Sequence, residues 1–258
     1  MDFEKAKNIS IVAFIILNAF LLFINFYTPR PGLSEERINS VIYVLNRNGI
    51  KVSESFDFIN LGYKRQLELS HSNLDVHTTR PIFFINNQNV YNFENVFYNE
   101  NERITFLEAG LLYENFGENF PIYTEEEARE LIKNILNSLN KNMEPDFKRD
   151  IENGFEIAYR HIYNGITLYH NHIIVTVIDN NLSKIEFGFI NPISFFGPNR
   201  TVRDIDEALL SFMRSYEADE IKSINIVYYL LSYEVATPFF RIIYTYNNFE
   251  RSALISAY

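Results

Sequence analysis

Hydrophobic and polar residues change period several times along this chain, and the first stretch has no period at all. From Asn8 to Tyr27 the run NISIVAFIILNAFLLFINFY carries no charge. Its 20 positions, at about 1.5 Å each, make a helix about 30 Å long, one hydrocarbon-core thickness. The run is apolar all round, and Phe26 and Tyr27 put aromatic rings at the exit interface. A cleaved signal peptide has a shorter apolar region with small residues at a cleavage site. This run leads instead into Thr28-Pro29-Arg30-Pro31-Gly32, so a single uncleaved transmembrane helix is expected. Lys5, Lys7 and the terminal amine precede the span, whereas only Arg30 follows closely. The positive-inside rule then leaves the N-terminus in the cytoplasm and the body outside.

Beyond the span, Pro29, Pro31 and Gly32 break the helix and form a stalk, residues 29–33. Ser34 then caps a helix with Glu35 and Glu36 in its first turn, an apolar face of Ile38, Val41, Ile42 and Leu45, and a stop at Gly49. Residues 51–116 read as short strands, among them 82–85, 90–93 and 103–106, separated by Asn-rich breaks. A second helix starts at a Thr124/Glu127 capping box and holds the helical period through Ala128, Leu131, Ile132, Ile135, Leu136 and Leu139. Phe155, Ile157, Tyr159, His161 and Tyr163 alternate on one face of a strand that turns at Asn164-Gly165 into 166–178, then at 179–181 into 185–189. That pattern predicts an antiparallel meander. A third helix, with Asp204 and Glu207 as its capping pair, buries Ile205, Leu209, Phe212, Met213 and Tyr216, and three β runs follow.

The theme of one helix followed by antiparallel strands thus recurs three times. It predicts an α+β fold in which the transmembrane helix is followed by a two-lobed extracytoplasmic body of antiparallel sheets, each packed with a helix. The expected divisions are a tail and span at 1–28, the stalk at 29–33, a first lobe at 34–120 and a second at 121–258.

Composition sharpens this picture. The net charge is −10, from 33 Asp+Glu against 23 Lys+Arg, and Asp2, Glu4, Lys5 and Lys7 cancel, so the excess acid lies on the body. A body of that sign excludes a nucleic-acid partner, which needs a cationic face. With 0 Cys, disulfides, thiolate metal sites and a Cys nucleophile are all excluded.

Candidate chemistry is sparse. Asn18 and Asn25 lie one heptad apart within the span, on one helical face, where amides gain from a partner helix; both are candidate transmembrane contact residues, Asn25 being near enough to the interface to be solvated instead. His170 and His172 share one side of a strand, and His161 lies across the Asn-Gly hairpin, so a metal site is geometrically open. No carboxylate flanks them to orient an imidazole, and they read instead as aromatic-like members of a half-exposed sheet. Glu125, Glu126 and Glu127 complement a helix dipole. Nucleophile-elbow, zincin, Walker and dinucleotide motifs do not occur. No catalytic residue, cofactor or metal is therefore assigned.

The opening MDFEKAKNISIVAFIILNAFLLF, with Ile16-Leu17-Asn18 in its span, resembles the N-terminus of YycI proteins, single-pass regulators of the WalK (YycG) sensor histidine kinase of low-GC Gram-positive bacteria. LSEERINSVIYVLNRNGIKV at 33–52 is similar to that family's first extracytoplasmic helix. AYRHIYNGITLYHNHIIVTV at 158–177 resembles the strand, turn and return strand shared with PepSY-like modules, and Pro238, Arg241 and Ile242 match the family's closing hairpin. The resemblance implies a non-enzymatic regulator of two-component signalling in cell-wall homeostasis. Its implied partners are the kinase and a YycH-like protein, met through transmembrane and extracytoplasmic surfaces. The residues leave two alternatives open: an anchored extracellular ligand-binding or protease-inhibitory module, and an anchored hydrolase using the three histidines.

Overall fold

The computed structural model describes residues 14–18, 35–53, 56, 63–70, 74–84, 89–118 and 120–258. Most of the expected span, with Asn25, the stalk and the Ser34 cap, lies outside these residues. Residues 14–18 are helical, and among the described residues no helix is long and apolar enough to cross a membrane.

The chain is α+β, built on one large mixed sheet. The strands in chain order are β1 (Lys51–Val52), β2 (Tyr63–Ser70), β3 (Tyr91–Phe93), β4 (Val96–Tyr98), β5 (Glu102–Leu107), β6 (Gly110–Asn115), β7 (Glu144–Ile151), β8 (Gly154–Tyr163), β9 (Ile166–Ile178), β10 (Asn181–Gly188), β11 (Asn191–Thr201), β12 (Glu220–Ser232), β13 (Val235–Tyr246) and β14 (Phe249–Ser256). Among the described residues, four helices pack with them: α1 (Glu35–Arg47), α2 (Val76–Phe83), α3 (Glu125–Ser138) and α4 (Ile205–Ser215).

One half of the sheet runs β7-β8-β9-β10-β6-β5-β4-β3, antiparallel throughout. The predicted meander is its centre. The turns Asn164-Gly165 and Asp179-Asn180 both have the positive φ angles that a two-residue hairpin needs. α2 and α3 bury Phe83, Ala128, Ile132, Ile135 and Leu136 against Ile157, Tyr159, Ile173, Val175 and Phe187. The other half gathers β1, β12, β13, β14, β2 and β11. There α1 and α4 bury Val41, Leu45, Leu209 and Phe212 against Ile221, Phe240 and Ile242. Residues from both sides of position 120 contribute to each core.

The halves meet where β9 begins. Thr167 and Leu168 pair with Val227 and Tyr228 of β12, and this ladder, like that of β1 with β12, is parallel. The expectation of antiparallel sheets alone is corrected accordingly. Parallel pairing needs a long crossover, and the chain from β9 to β12 passes through β10, β11 and α4, a connection that no local pattern encodes.

Three local expectations are also corrected. The pattern predicts a strand over 82–85, but 82 and 83 close α2, where Asp75 accepts a bond from the His77 amide and Thr79 and Phe83 are buried one turn apart; a short apolar run fits either period, and packing decides. Asp204 occupies the N-cap of α4 without making a capping bond; its Oδ2 accepts instead from Arg37 Nη1 on α1 at 3.1 Å. Tyr216 is the C-cap of α4 rather than a buried residue, stacking on Phe212 with ring centroids 5.3 Å apart. The Thr124/Glu127 box, by contrast, forms in both directions: Glu127 N donates to Thr124 Oγ1 at 3.2 Å and Thr124 N to Glu127 Oε2 at 3.1 Å.

Candidate functional site at the junction of the sheet halves

Two irregularities aim charged side chains into the junction. A bulge in β7 between Pro145 and Phe147 adds Asp146 to the register, and a second shift between Arg160 and His161 of β8 leaves residues 169–171 of β9 outside the ladder. Bulges re-aim side chains in this way. Asp146 thereby meets Arg160 and, from the other half, Arg241 of β13. Arg160 Nε donates to Asp146 Oδ2 at 2.6 Å and Arg241 Nη1 to Oδ1 at 2.5 Å. Both arginines are buried, 5% and 6% exposed. Tyr169 lies beneath them, its ring centroid 4.2 Å from the Arg160 guanidinium carbon and 5.9 Å from that of Arg241, and its carbonyl accepts from Arg160 Nη1. One carboxylate thus serves two buried cations, with an aromatic face as partial compensation.

The same face carries the two histidines. Direct partners in an antiparallel ladder share a face, and Arg160 pairs with His172 while His161 pairs with Leu168. His161 is therefore on the opposite side, stacked on Phe189 at 5.3 Å and bonded through Nδ1 to Asn171. The three histidines do not converge, and among the described residues no group of three or more His, Asp or Glu side chains is placed to hold a metal ion. His170 and His172 line a cavity of about 430 Å³ with Leu112, Ile190, Leu230 and Tyr233. Gly188 makes room for the His172 ring, since a Cβ there would sit 2.4 Å from the His170 carbonyl and 3.3 Å from His172 Cε1. Tyr233 hydrogen-bonds Glu108, which joins two hairpin tips beside the cavity.

His170 Nε2 and His172 Nδ1 are buried without hydrogen-bond partners among the described residues. Burial, reinforced by Arg160, pushes both imidazoles toward the neutral form, His172 down to about 4. At neutral pH they are uncharged groups able to accept or donate one bond each. The junction therefore combines a mainly apolar cavity with two neutral imidazoles in its lining, a constitution common to binding sites.

Of the residues singled out from sequence, Asn18 donates from Nδ2 to the Phe14 carbonyl one turn back at 2.9 Å, and Asn25 lies outside the described residues. Glu125 bonds Arg129 at 2.9 Å, and Glu127 serves the capping box. Asp146, Arg160 and Tyr169 were not foreseen. An Arg between Tyr159 and His161 reads as a solvent-side residue, because the partner that buries it is supplied by a bulge and by a strand far along the chain.

A large mixed sheet backed by helices defines the class of fold, and comparison adds the relatives of that fold. No family model and no curated protein matches the chain. Among solved structures, YycH from Bacillus subtilis has a TM-score of 0.50 at 12% identity, over 78% of this chain and 57% of that one, so the chain spans little more than half the length of YycH. An uncharacterized protein from Eubacterium rectale has a TM-score of 0.48 at 12% identity over 81% and 88% of the two chains. The Bacillus megaterium YpeB C-terminal domain has 0.36 at 9% identity over 73% and 94%.

Proposed function

We propose that this protein is a membrane-anchored extracytoplasmic regulator of a sensor histidine kinase of the WalK (YycG) type, acting by protein–protein contact and without catalysis of its own. The observation that supports it is a coincidence of two independent likenesses: a chain whose opening resembles YycI has a fold like that of YycH. In this reading residues 8–27 span the membrane once, with the N-terminus in the cytoplasm and a two-lobed body outside. The partners are the kinase and a YycH-like protein, and Asn18 and Asn25 lie on the helix face that meets them.

Crosslinking in the native membrane followed by identification of the captured proteins tests the reading. Capture of a sensor kinase is expected; capture of a transporter or protease in its place removes it. Interhelical amide bonds contribute about 1 kcal/mol, so Asn18→Leu should weaken capture several-fold without abolishing it. A chimera with an unrelated span that captures as well as the native chain reduces the anchor to a tether.

A second reading, an extracellular ligand-binding module, is favoured by the cavity and the two neutral imidazoles that line it. Mass spectrometry of the extracted protein under native conditions should then show a small molecule retained in stoichiometric amount. Leu112→Trp, which fills the cavity, should expel it.

A further inference from the structure

Beside the Arg160–Asp146–Arg241 cluster, a separate small cleft opens between β7 and the β13/β14 hairpin. Three arginines line it, Arg149, Arg241 and Arg251, together with Phe147, Glu250 and Ser252. In a chain of net charge −10 this is an unusual concentration of positive charge, and the local acids are already engaged. Asp146 is shared by Arg160 and Arg241. Glu156 holds the Nε and Nη2 edge of Arg149. Glu250 accepts from Lys222 Nζ at 3.1 Å.

Two guanidinium groups retain unused capacity. Arg241 is 6% exposed, yet its Nε is buried with no hydrogen-bond partner among the described residues. Arg251 rests over the Tyr246 ring, 5.2 Å from its centroid, and has no ion pair among the described residues. A buried donor without an acceptor is costly, and a guanidinium is built for bidentate contact with a planar or tetrahedral oxyanion. The open volume is about 40 Å³, against roughly 10–15 Å³ needed to hold one water, so the cleft accommodates one group of a few heavy atoms.

We propose that this cleft binds a single oxyanion group, a carboxylate or a phosphate, between Arg241 and Arg251, with Arg149 at its edge. The anion meets the edge of Arg241 that lines the cleft together with Arg251, and offsets the excess of buried cations over Asp146. Because β7 belongs to one half of the sheet and β13 and β14 to the other, an anion held there also ties the halves together. The proposal is independent of the kinase reading.

The test uses the full-length chain in detergent and follows its thermal transition in sodium phosphate, in sodium acetate and in sodium chloride at matched ionic strength. A saturable rise in midpoint with phosphate or acetate, beyond that with chloride, is expected. Phosphate alone identifies a phosphoryl ligand and acetate alone a carboxylate, and either supports the site. Arg251→Gln, an exposed change that leaves the buried cluster intact, should weaken the apparent affinity about tenfold. Arg214→Gln, at the exposed end of α4, should leave it unchanged. If neither anion exceeds chloride, or if the two variants respond alike, the cleft is not an oxyanion site.

Discussion

Two regions of the molecule are held together by different kinds of contact. From Ile122 to Phe189, partners are near in sequence: the Thr124/Glu127 box, the β8/β9 and β9/β10 hairpins, and an apolar core under α3. Where residues 35–70 meet 191–258, partners are far apart. Arg37 reaches Asp204 and Asp206 across 167 and 169 positions, Tyr228 OH donates to the Arg65 carbonyl across 163, and Tyr258 OH to that of Lys64 across 194. Many of those distant contacts are polar or charged, and the junction cluster, with Asp146 and Arg241 separated by 95 positions, is of that kind too. Apolar contact is non-directional, whereas a charge accepts few partners, so polar groups fix which distant segments meet.

Removing the carboxylate at the junction should have the largest effect. Asp146→Ala leaves Arg160 and Arg241 buried beside each other without an acceptor, and breaking a buried pair costs about 3–5 kcal/mol. Asp150→Ala, whose side chain is 84% exposed on the same strand, should cost little in chemical denaturation. A small loss for Asp146→Ala would mean that distant charge pairs are incidental to the assembly of the halves. A swap of Arg160, Asp146 and Arg241 to apolar residues of similar size tests the cluster from the other direction, since a well-packed apolar replacement can be neutral or stabilising.

Acid sharpens the comparison by acting on buried histidines, two of which lie at the junction. His172 falls from an ordinary 6.5 to about 4 in the fold, so between those values the unfolded chain binds the extra proton. Stability is then fully present above pH 6.5 and is lost progressively as the pH falls toward 4. The shift corresponds to about 3 kcal/mol. His170 and His161 are lowered as well and act in the same direction. Denaturation measured between pH 7 and 5 should show this slope, and His172→Gln should flatten it. Glu125, whose carboxyl is lowered chiefly by its hydrogen bond from Arg129, loses its contribution only below the carboxylate range, so it does not confuse the interval. An unchanged slope in His172→Gln would assign the acid sensitivity elsewhere.

How much of this was legible follows the same division. The α3 box, the Asn164-Gly165 turn and the meander are written within a few residues, and the chain pattern shows them. The parallel ladder of β9 with β12 is not, because its register depends on where a crossover returns. The capping pair of α4 was legible as a pattern and failed as a contact, Asp204 pairing instead with Arg37, far away in sequence. His170 and His172 stood out by type, but their separation from His161 depends on the register shift at Arg160. Arg160 itself carries no local sign of burial, and Asp146 is turned inward by a bulge that alternation does not reveal.

The smallest expected effect separates the two uses of an N-cap. At α3 the Thr124 hydroxyl accepts from the Glu127 amide, so Thr124→Ala should cost about 1 kcal/mol. Being a neutral bond closed within one turn, that loss should be nearly independent of salt. At α4, Asp204 makes no capping bond, so Asp204→Ala removes only its contact with Arg37. That arginine retains Asp206, to which Nε donates at 3.1 Å, and the Asp204 side chain is 37% exposed. Its loss should therefore be smaller than that of Thr124→Ala and should shrink further at high ionic strength, where exposed charges are screened. Urea denaturation of both variants at low and high salt makes the comparison. If Asp204→Ala proves the costlier and salt leaves it unchanged, Asp204 acts as a cap after all, and α4 is held by its own first turn rather than by a helix that lies far ahead of it in the chain.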